Sequence, residues 1–167
     1  MGGAIAMVGI IKQRETARSK NTIDLEASIE DNRYDKAFTT VYELVTNRDN
    51  ISVASWADDD KQSSPEAAAI KQVLNTWERA SNGVRKKVYD NHFLYEIYGS
   101  HVLNIHEHLM PFMLKVRQER QPKAYQNFFV LAENWRDTRN LESLNYKQRL
   151  TTRFKIKRKA DKSEPRP

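Results

Sequence analysis

The chain has 167 residues and no cysteine, and 39% of its residues are apolar and 30% charged. This length suits a single domain with its own hydrophobic core, and the composition excludes collagen-like and Pro/Gly-rich disordered chains. Without cysteine there is no disulfide framework, cysteine-bound metal or thiol nucleophile, so we expect a reducing, cytoplasmic location. The net charge of +6 is uneven, because residues 1–150 have 21 bases against 20 acids, whereas residues 151–167 have seven bases against two acids.

The first eleven residues carry no charge and are mostly small or aliphatic, and four bases follow by Lys20. A spanning helix needs about 20 apolar residues, so residues 1–11 alone cannot cross a bilayer. Signal peptides place their bases before the apolar segment, which is not the order here. The segment is therefore either the lower half of an anchor that begins upstream of this sequence, or a helix end that packs on protein or dips into one leaflet. Both place residues 12–150 on the cytoplasmic side, and an ordinary frayed N-terminus is the third possibility.

Two helices are predicted in the first third of the chain. From Lys12 the residues favour helix without glycine or proline, which predicts one continuous helix from the apolar end to about Asp31. A second helix is predicted by apolar residues at three- and four-residue spacing, and it should end near Asn47, where turn-forming residues begin. Its apolar face comprises Tyr34, Ala37, Phe38, Val41, Tyr42 and Val45.

The segment between Asn50 and Ser64 is polar and contains the acidic triplet of residues 58–60. Consecutive aspartates lack the alternating ligands and the glycine bend of a calcium loop. The pattern therefore predicts a solvated loop.

A third helix is predicted to begin at Ser64-Pro65-Glu66, a serine N-cap followed by a first-turn proline and an acid. It is predicted to end at Asn82-Gly83, a pair suited to a left-handed C-terminal cap. Its apolar stripe comprises Ile70, Val73, Leu74, Trp77 and Val84.

Two more helical regions complete the folded part. Asp90 is predicted as an N-cap, Gly99-Ser100 as a break or capped restart, and Pro111 as a kink or break. The last apolar stripe begins after Pro122 and weakens past Asn140. It comprises Tyr125, Phe128, Phe129, Ala132 and Trp135. Trp77 and Trp135 are the expected core anchors. Because no strand pattern or repeat is found, we predict an all-α bundle of four to six helices, with a helical domain over 12–150 and a basic, disordered tail over 151–167.

His101, His106 and His108 form a histidine cluster that raises the question of a metal site. On a helix, His101 and His108 share a face two turns apart, whereas His106 points roughly 160° away from His108. The His-Glu-x-x-His spacing of zinc proteases is absent. We therefore expect surface or core-edge histidines and no metal or other cofactor.

Five glutamates in the predicted helices are candidate acid–base groups: Glu78, Glu96, Glu107, Glu119 and Glu133. Their spacing is typical of solvent-facing charge, and no Ser-His-acid order, glycine-rich phosphate loop or Gly-x-Ser-x-Gly motif accompanies them. We therefore expect no catalytic residue and no enzymatic activity.

Two basic segments are candidate contacts for an anionic surface. One is Arg85-Lys86-Lys87, directly after the third predicted helix, where the bases could also simply complement the negative end of the helix dipole. The other is in the tail and comprises Arg153, Lys155, Lys157, Arg158 and Lys159. Such segments neutralise phosphates of anionic lipid or of nucleic acid, and the alternative is a plain solvated tail.

Several short motifs resemble those of an uncharacterised domain family of bacteria and their phages. They are the apolar N-terminal segment, Ala17-Arg18, Thr22-Ile23-Asp24, Trp77, Ala80-Ser81-Asn82-Gly83-Val84, Tyr89-Asp90, Pro111-Phe112, Arg117, Arg120, Tyr125, Phe128, Leu131-Ala132 and Trp135. The resemblance covers about residues 5–136 and implies a membrane helix followed by a small cytosolic helical domain. It implies no activity and no catalytic residue. The chain departs from the family in having too few residues before Lys12 to cross a bilayer.

Two functions from different classes follow from these patterns. The first is a non-enzymatic helical module that acts by protein contact at the cytoplasmic face of a bacterial membrane, in a phage or prophage setting. The alternative is a soluble nucleic-acid-binding protein that uses the basic tail and the Arg85–Lys87 segment. The identity of a protein partner and the oligomeric state are not indicated by any pattern.

Overall fold

The computed structural model describes residues 2–29, 31–46, 52–144, 148 and 151. Within this part of the chain there are five α-helices, one short 3₁₀ helix and no strand, which confirms the all-α prediction. The α-helices are α1 (Gly2–Ile29), α2 (Asn32–Thr46), α3 (Pro65–Arg85), α4 (Asn91–Glu119) and α5 (Gln126–Ser143), and the 3₁₀ helix is Val53–Ala57. The basic tail lies outside the described residues, apart from Thr151.

The chain divides into two compact units, Met1–Ala132 and Glu133–Pro167, and the boundary falls within α5. In the first unit, α2 packs against α3 and the 3₁₀ helix packs against α4. Trp77, in the first unit, is fully buried, and Trp135, in the second, is 1% exposed. Both tryptophans are therefore confirmed as buried core residues. The largest other buried side chains of the first unit are Ile70, Val73, Leu74, Leu94, Val102, His106, Leu109, Phe112, Met113 and Phe128.

The two N-terminal helices agree with the predicted bounds. α1 is continuous from Gly2 to Ile29, and α2 ends at Thr46, one residue before the predicted turn. The predicted apolar face of α2 is only partly buried, because Tyr34, Ala37 and Val41 are inside while Tyr42 is 60% exposed. This exposed tyrosine belongs to the cleft described below.

The prediction of a solvated loop before α3 is confirmed for residues 58–64, which form turns and bends, and is wrong for Val53–Ala57. Val53–Ala57 forms a 3₁₀ helix with Ser52 as its N-cap, and Ala57 is fully buried. Asp58 forms an ion pair with Lys115 of α4, and the Asp59 carboxylate accepts from Arg120 at 2.6 Å. The Lys115 ammonium lowers the pKa of Asp58. Asp58 and Asp59 therefore connect this segment to the C-terminal end of α4 through ion pairs.

The predicted start of α3 at Ser64 is confirmed, whereas its predicted end at Gly83 is wrong. Ser64 Oγ accepts from the Ala67 N–H at 3.1 Å, as a serine N-cap does. The helix continues past Gly83 to Arg85, and Lys87 is the residue in the left-handed region, with φ of 59°. A Cβ at Gly83 would overlap the Tyr89 ring. This glycine therefore provides room for the ring rather than a left-handed cap.

α4 is one helix of 29 residues, so the predicted break at Gly99-Ser100 is wrong and Pro111 does not divide the helix. Asp90 is confirmed as the N-cap, because its carboxylate accepts from the N–H groups of His92 and Phe93. Pro111 is exposed, while Phe112 and Met113 beside it are fully buried. Burial of these two neighbouring side chains offsets the one helical hydrogen bond that the proline removes.

Glu78 corrects the expectation that all five glutamates face solvent. Its carboxylate accepts from the backbone N–H groups of Asn127 and Phe128, at 3.2 and 2.8 Å, and from the Asn127 side chain at 2.7 Å. It thereby caps the first turn of α5 from α3. Arg117 secures the segment just before α5 by donating to the carbonyls of Ala124 and Tyr125.

Candidate functional site

A cleft of about 380 Å³ lies between α2 and α4 in the first unit. We call it the α2–α4 cleft. Its lining residues are Phe38, Val41, Tyr42, Val45 and Thr46 from α2, and His101, Asn104, Ile105 and His108 from α4.

The helical repeat explains why these residues meet. The α2 side is formed mainly by residues at positions i, i+3, i+4 and i+7 counted from Phe38, and the α4 side by the same spacing counted from His101. Two facing stripes of this kind form an elongated groove. The α2 stripe is mainly apolar, whereas the α4 stripe provides two imidazoles and an amide.

A chain of hydrogen bonds runs from the core to the inner edge of the cleft. The Trp77 Nε1–H donates to the Tyr34 hydroxyl oxygen at 2.7 Å, and the same hydroxyl is 2.8 Å from His101 Nε2. The His101 ring also stacks at a tilt on Phe38, with ring centroids 4.3 Å apart. Tyr34 and Phe38 therefore fix the orientation of the His101 ring in the cleft.

The donor and acceptor roles in this chain follow from the chemistry of each group. The indole nitrogen can only donate, so the Tyr34 oxygen accepts from Trp77. The Tyr34 hydroxyl and His101 Nε2 share the second hydrogen bond, and the imidazole tautomer sets which of the two donates. When Nδ1 carries the imidazole proton, Nε2 accepts from the Tyr34 hydroxyl. Burial lowers the pKa of His101 and raises that of Tyr34, so the neutral form of each is favoured.

The three clustered histidines occupy two sides of α4, as the helical geometry predicts. His101 and His108 line the cleft, whereas His106 is fully buried against the rings of Phe128 and Phe129. The expectation of surface or core-edge positions is therefore wrong for His106. Among the residues that the structure describes, no group of three or more His, Cys, Asp or Glu side chains is arranged to hold a metal ion.

The structure describes one of the two candidate anion contacts. Arg85 at the end of α3 and Lys86 and Lys87 directly after it are exposed. The Lys87 carbonyl accepts from Arg18 Nε of α1 at 3.2 Å. The other candidates lie outside the described residues: Arg153, Lys155, Lys157, Arg158 and Lys159.

Two features of the site have no signal in the sequence. The sequence predicts Tyr34 as a member of an apolar face and Trp77 as a core anchor, but not that the Tyr34 hydroxyl meets both the Trp77 indole and His101, which α2, α3 and α4 bring together. Thr22 accepts from the Asp90 N–H at 2.8 Å, a contact between residues 68 positions apart. Polar contacts between residues so far apart in sequence produce no periodic pattern in the sequence.

The model of DUF4760, a domain of unknown function, matches residues 1–135. The chain belongs to this family. The match confirms the resemblance to an uncharacterised domain family that the short motifs indicated. No curated protein matches the chain, and no solved structure does. None of the described helices of this DUF4760 member is both long enough and apolar enough to cross a membrane.

Proposed function

We propose that this DUF4760 chain is a non-enzymatic helical module that acts by protein–protein contact at the cytoplasmic face of a bacterial membrane. The observation that carries the proposal is the α2–α4 cleft, in which an apolar α2 stripe faces polar groups of α4. The occupant we propose is an amphipathic helix of a partner protein, which would insert apolar side chains along the groove.

The shape and chemistry of the cleft favour such an occupant. The cleft is near the lower end of the ~300–1,000 Å³ range of ligand sites, so it takes a few side chains rather than a large cofactor. Tyr42 is 60% exposed and provides apolar area with a hydroxyl at the rim. Asn104 and His108 are also exposed and can hydrogen-bond the polar edge of a partner helix.

The hydrogen-bond chain behind the cleft supports a binding role rather than catalysis. A general base needs a free lone pair within reach of a substrate proton, but the Nε2 of His101 is occupied by Tyr34. Burial raises the pKa of Tyr34 and so disfavours the phenolate that a tyrosine nucleophile would need. Both groups are arranged to hold each other in place.

The membrane part of the proposal is supported by the N-terminal sequence. Residues 1–11 carry no charge, and Lys12, Arg14 and Arg18 follow on the same helix. Basic flanks stay on the cytoplasmic side, so α1 would hold the cleft near the inner leaflet. The bacterial, phage or prophage setting rests only on the resemblance described above.

The test is site-specific photo-crosslinking of the full chain in its native cells, followed by membrane fractionation. A crosslinker at Tyr42 should give one discrete adduct in the membrane fraction. The replacement Asn104→Trp, which fills the cleft from an exposed position, should abolish that adduct.

A crosslinker at Val130, which is exposed on α5, is the matched control and should give no such adduct. Identical adducts from both positions, or an adduct that survives Asn104→Trp, would rule out the cleft as the contact site. Recovery of the whole full-length product in the soluble fraction would rule out the membrane part.

A further inference from the structure

The structure brings together two basic segments that are about 70 residues apart in the chain. Arg18 of α1 donates from Nε to the carbonyl of Lys87 at 3.2 Å. One helical turn further along α1, Thr22 Oγ1 accepts from the N–H of Asp90 at 2.8 Å. These two bonds hold the α3–α4 turn against the side of α1.

The result is a cluster of cations on one side of the first unit. Arg14 precedes Arg18 by one helical turn on the same face of α1. The last residue of α3 and the two residues after it add three exposed bases. We call this cluster the basic collar, and it comprises Arg14, Arg18, Arg85, Lys86 and Lys87.

The charge of the collar is not neutralised within the described part of the chain. None of its five cations forms an ion pair with a described carboxylate. Arg85 donates instead to the uncharged side chain of Asn82 at 3.0 Å. The acids nearest in sequence are Glu15 and Asp90, and the Asp90 carboxylate is engaged with N–H groups of α4. A net positive surface remains.

The collar lies close to the charge-free N-terminal segment. Arg14 and Arg18 follow Ile11 by three and seven residues, which is ~4.5 and ~10 Å along the α1 axis. That separation is comparable with the Debye length of about 8 Å at physiological salt. The Lys87 carbonyl contacts Arg18, so the exposed bases near Lys87 lie close to Arg18 along the α1 axis.

We propose that the basic collar is a contact surface for the phosphates of anionic phospholipid headgroups. The inference rests on the membrane part of the proposed function and adds a specific lipid-binding surface to it. Lipid is favoured over nucleic acid because the cations are adjacent to the charge-free segment and are contributed by a helix side and a turn. A DNA-reading protein would instead present a helix or ribbon to a groove.

The test is flotation of the purified full chain with lipid vesicles, using wild type and two triple variants. The vesicles are phosphatidylcholine alone or phosphatidylcholine mixed with phosphatidylglycerol. The collar variant is Arg85→Gln with Lys86→Gln and Lys87→Gln. The control variant is Lys36→Gln with Arg79→Gln and Lys123→Gln, which removes the same charge from exposed positions elsewhere in the first unit.

The collar variant should lose at least about tenfold in binding to the phosphatidylglycerol vesicles, since each base near an anionic surface contributes about fivefold. The control variant should bind as wild type does. Wild-type binding to the same vesicles should weaken as salt is raised, a readout that does not depend on any variant folding correctly.

Equal binding by wild type and the collar variant would show that the basic collar is not the lipid-binding surface. The membrane part of the proposed function would then remain intact. Failure of wild type to bind either kind of vesicle would overturn both. Tighter binding of wild type to single-stranded RNA or duplex DNA than to the anionic vesicles, lost in the collar variant, would assign the surface to nucleic acid and overturn the lipid assignment.

Discussion

Tyr34 is the residue through which the core is connected to the α2–α4 cleft. Its ring is buried and its hydroxyl links the Trp77 indole to the His101 imidazole. A buried hydroxyl with a partner on each side contributes more to stability than an exposed one, because its loss leaves buried partners without their bond.

The replacement Tyr34→Phe should therefore lower the free energy of unfolding by about 1–3 kcal/mol, because the indole and the imidazole lose the shared hydroxyl. Urea unfolding followed by circular dichroism measures the change. Tyr42→Phe is the matched control at an exposed tyrosine, and it should change stability by less than about 0.5 kcal/mol. Equal effects of the two replacements would contradict a structural role for the Tyr34 hydroxyl.

His101 should make the folded chain less stable at acidic pH. Burial lowers its pKa below the ordinary value of 6.5, so the unfolded chain takes up a proton at a pH where the folded chain does not. The free energy of unfolding should therefore fall as pH drops from 6.5 toward the lower folded pKa.

The check on this pH dependence is a series of urea unfolding curves from about pH 8 to about pH 5. His101→Gln should reduce the slope of stability against pH in that window. An unchanged slope in the His101 variant would refute the assignment.

At the scale of whole helices, the fold depends on side chains that cap or secure the end of a neighbouring helix. Glu78 of α3 caps α5, and Arg117 of α4 secures the turn before it. The orphan N–H groups of a first turn need an acceptor, and here another helix provides it.

Glu78→Gln should cost about 0.5–2 kcal/mol of stability, the range for loss of a helix N-cap, because the amide retains only one accepting oxygen. Thermal and urea unfolding both report the change. Glu107→Gln, on the exposed side of α4, is the control and should be close to neutral. A neutral Glu78→Gln would mean that water satisfies these N–H groups equally well.

The sequence predicted helices better than it predicted where they end. Ser64 and Asp90 were recognised as N-caps because capping depends on residues two or three positions away. The local preferences of Gly83 and Gly99 predict a helix end or break, and that of Pro111 a kink or break, but α3 and α4 each continue through these positions. Local preferences of about 1–3 kcal/mol are small against the burial of several large side chains.

At the scale of the whole molecule, Trp77 is the main anchor of the first unit. It is fully buried, and α2 and α4 both supply contacts to it through Tyr34, Tyr98 and His101. A large side chain at such a junction stabilises every helix that contacts it.

Trp77→Ala should lower the free energy of unfolding by about 3–5 kcal/mol, the usual cost of truncating a buried tryptophan. Trp77→Phe should cost less, because most of the ring volume is retained. Phe93→Ala, at a partly exposed aromatic, should cost under about 1 kcal/mol. A loss below about 1 kcal/mol for Trp77→Ala would show that the core is centred elsewhere.

The sequence alone determined the helical class, the approximate extent of the helices, the buried tryptophans and the opposed directions of His106 and His108. These properties follow from the helical repeat and from capping, which act over a few residues. Only the tertiary structure decided that the Phe38 ring packs against His101, that Tyr34 joins Trp77 to His101, and that Arg18 meets the Lys87 carbonyl. Such contacts depend on how helices distant in sequence pack together, and no short-range pattern encodes that packing.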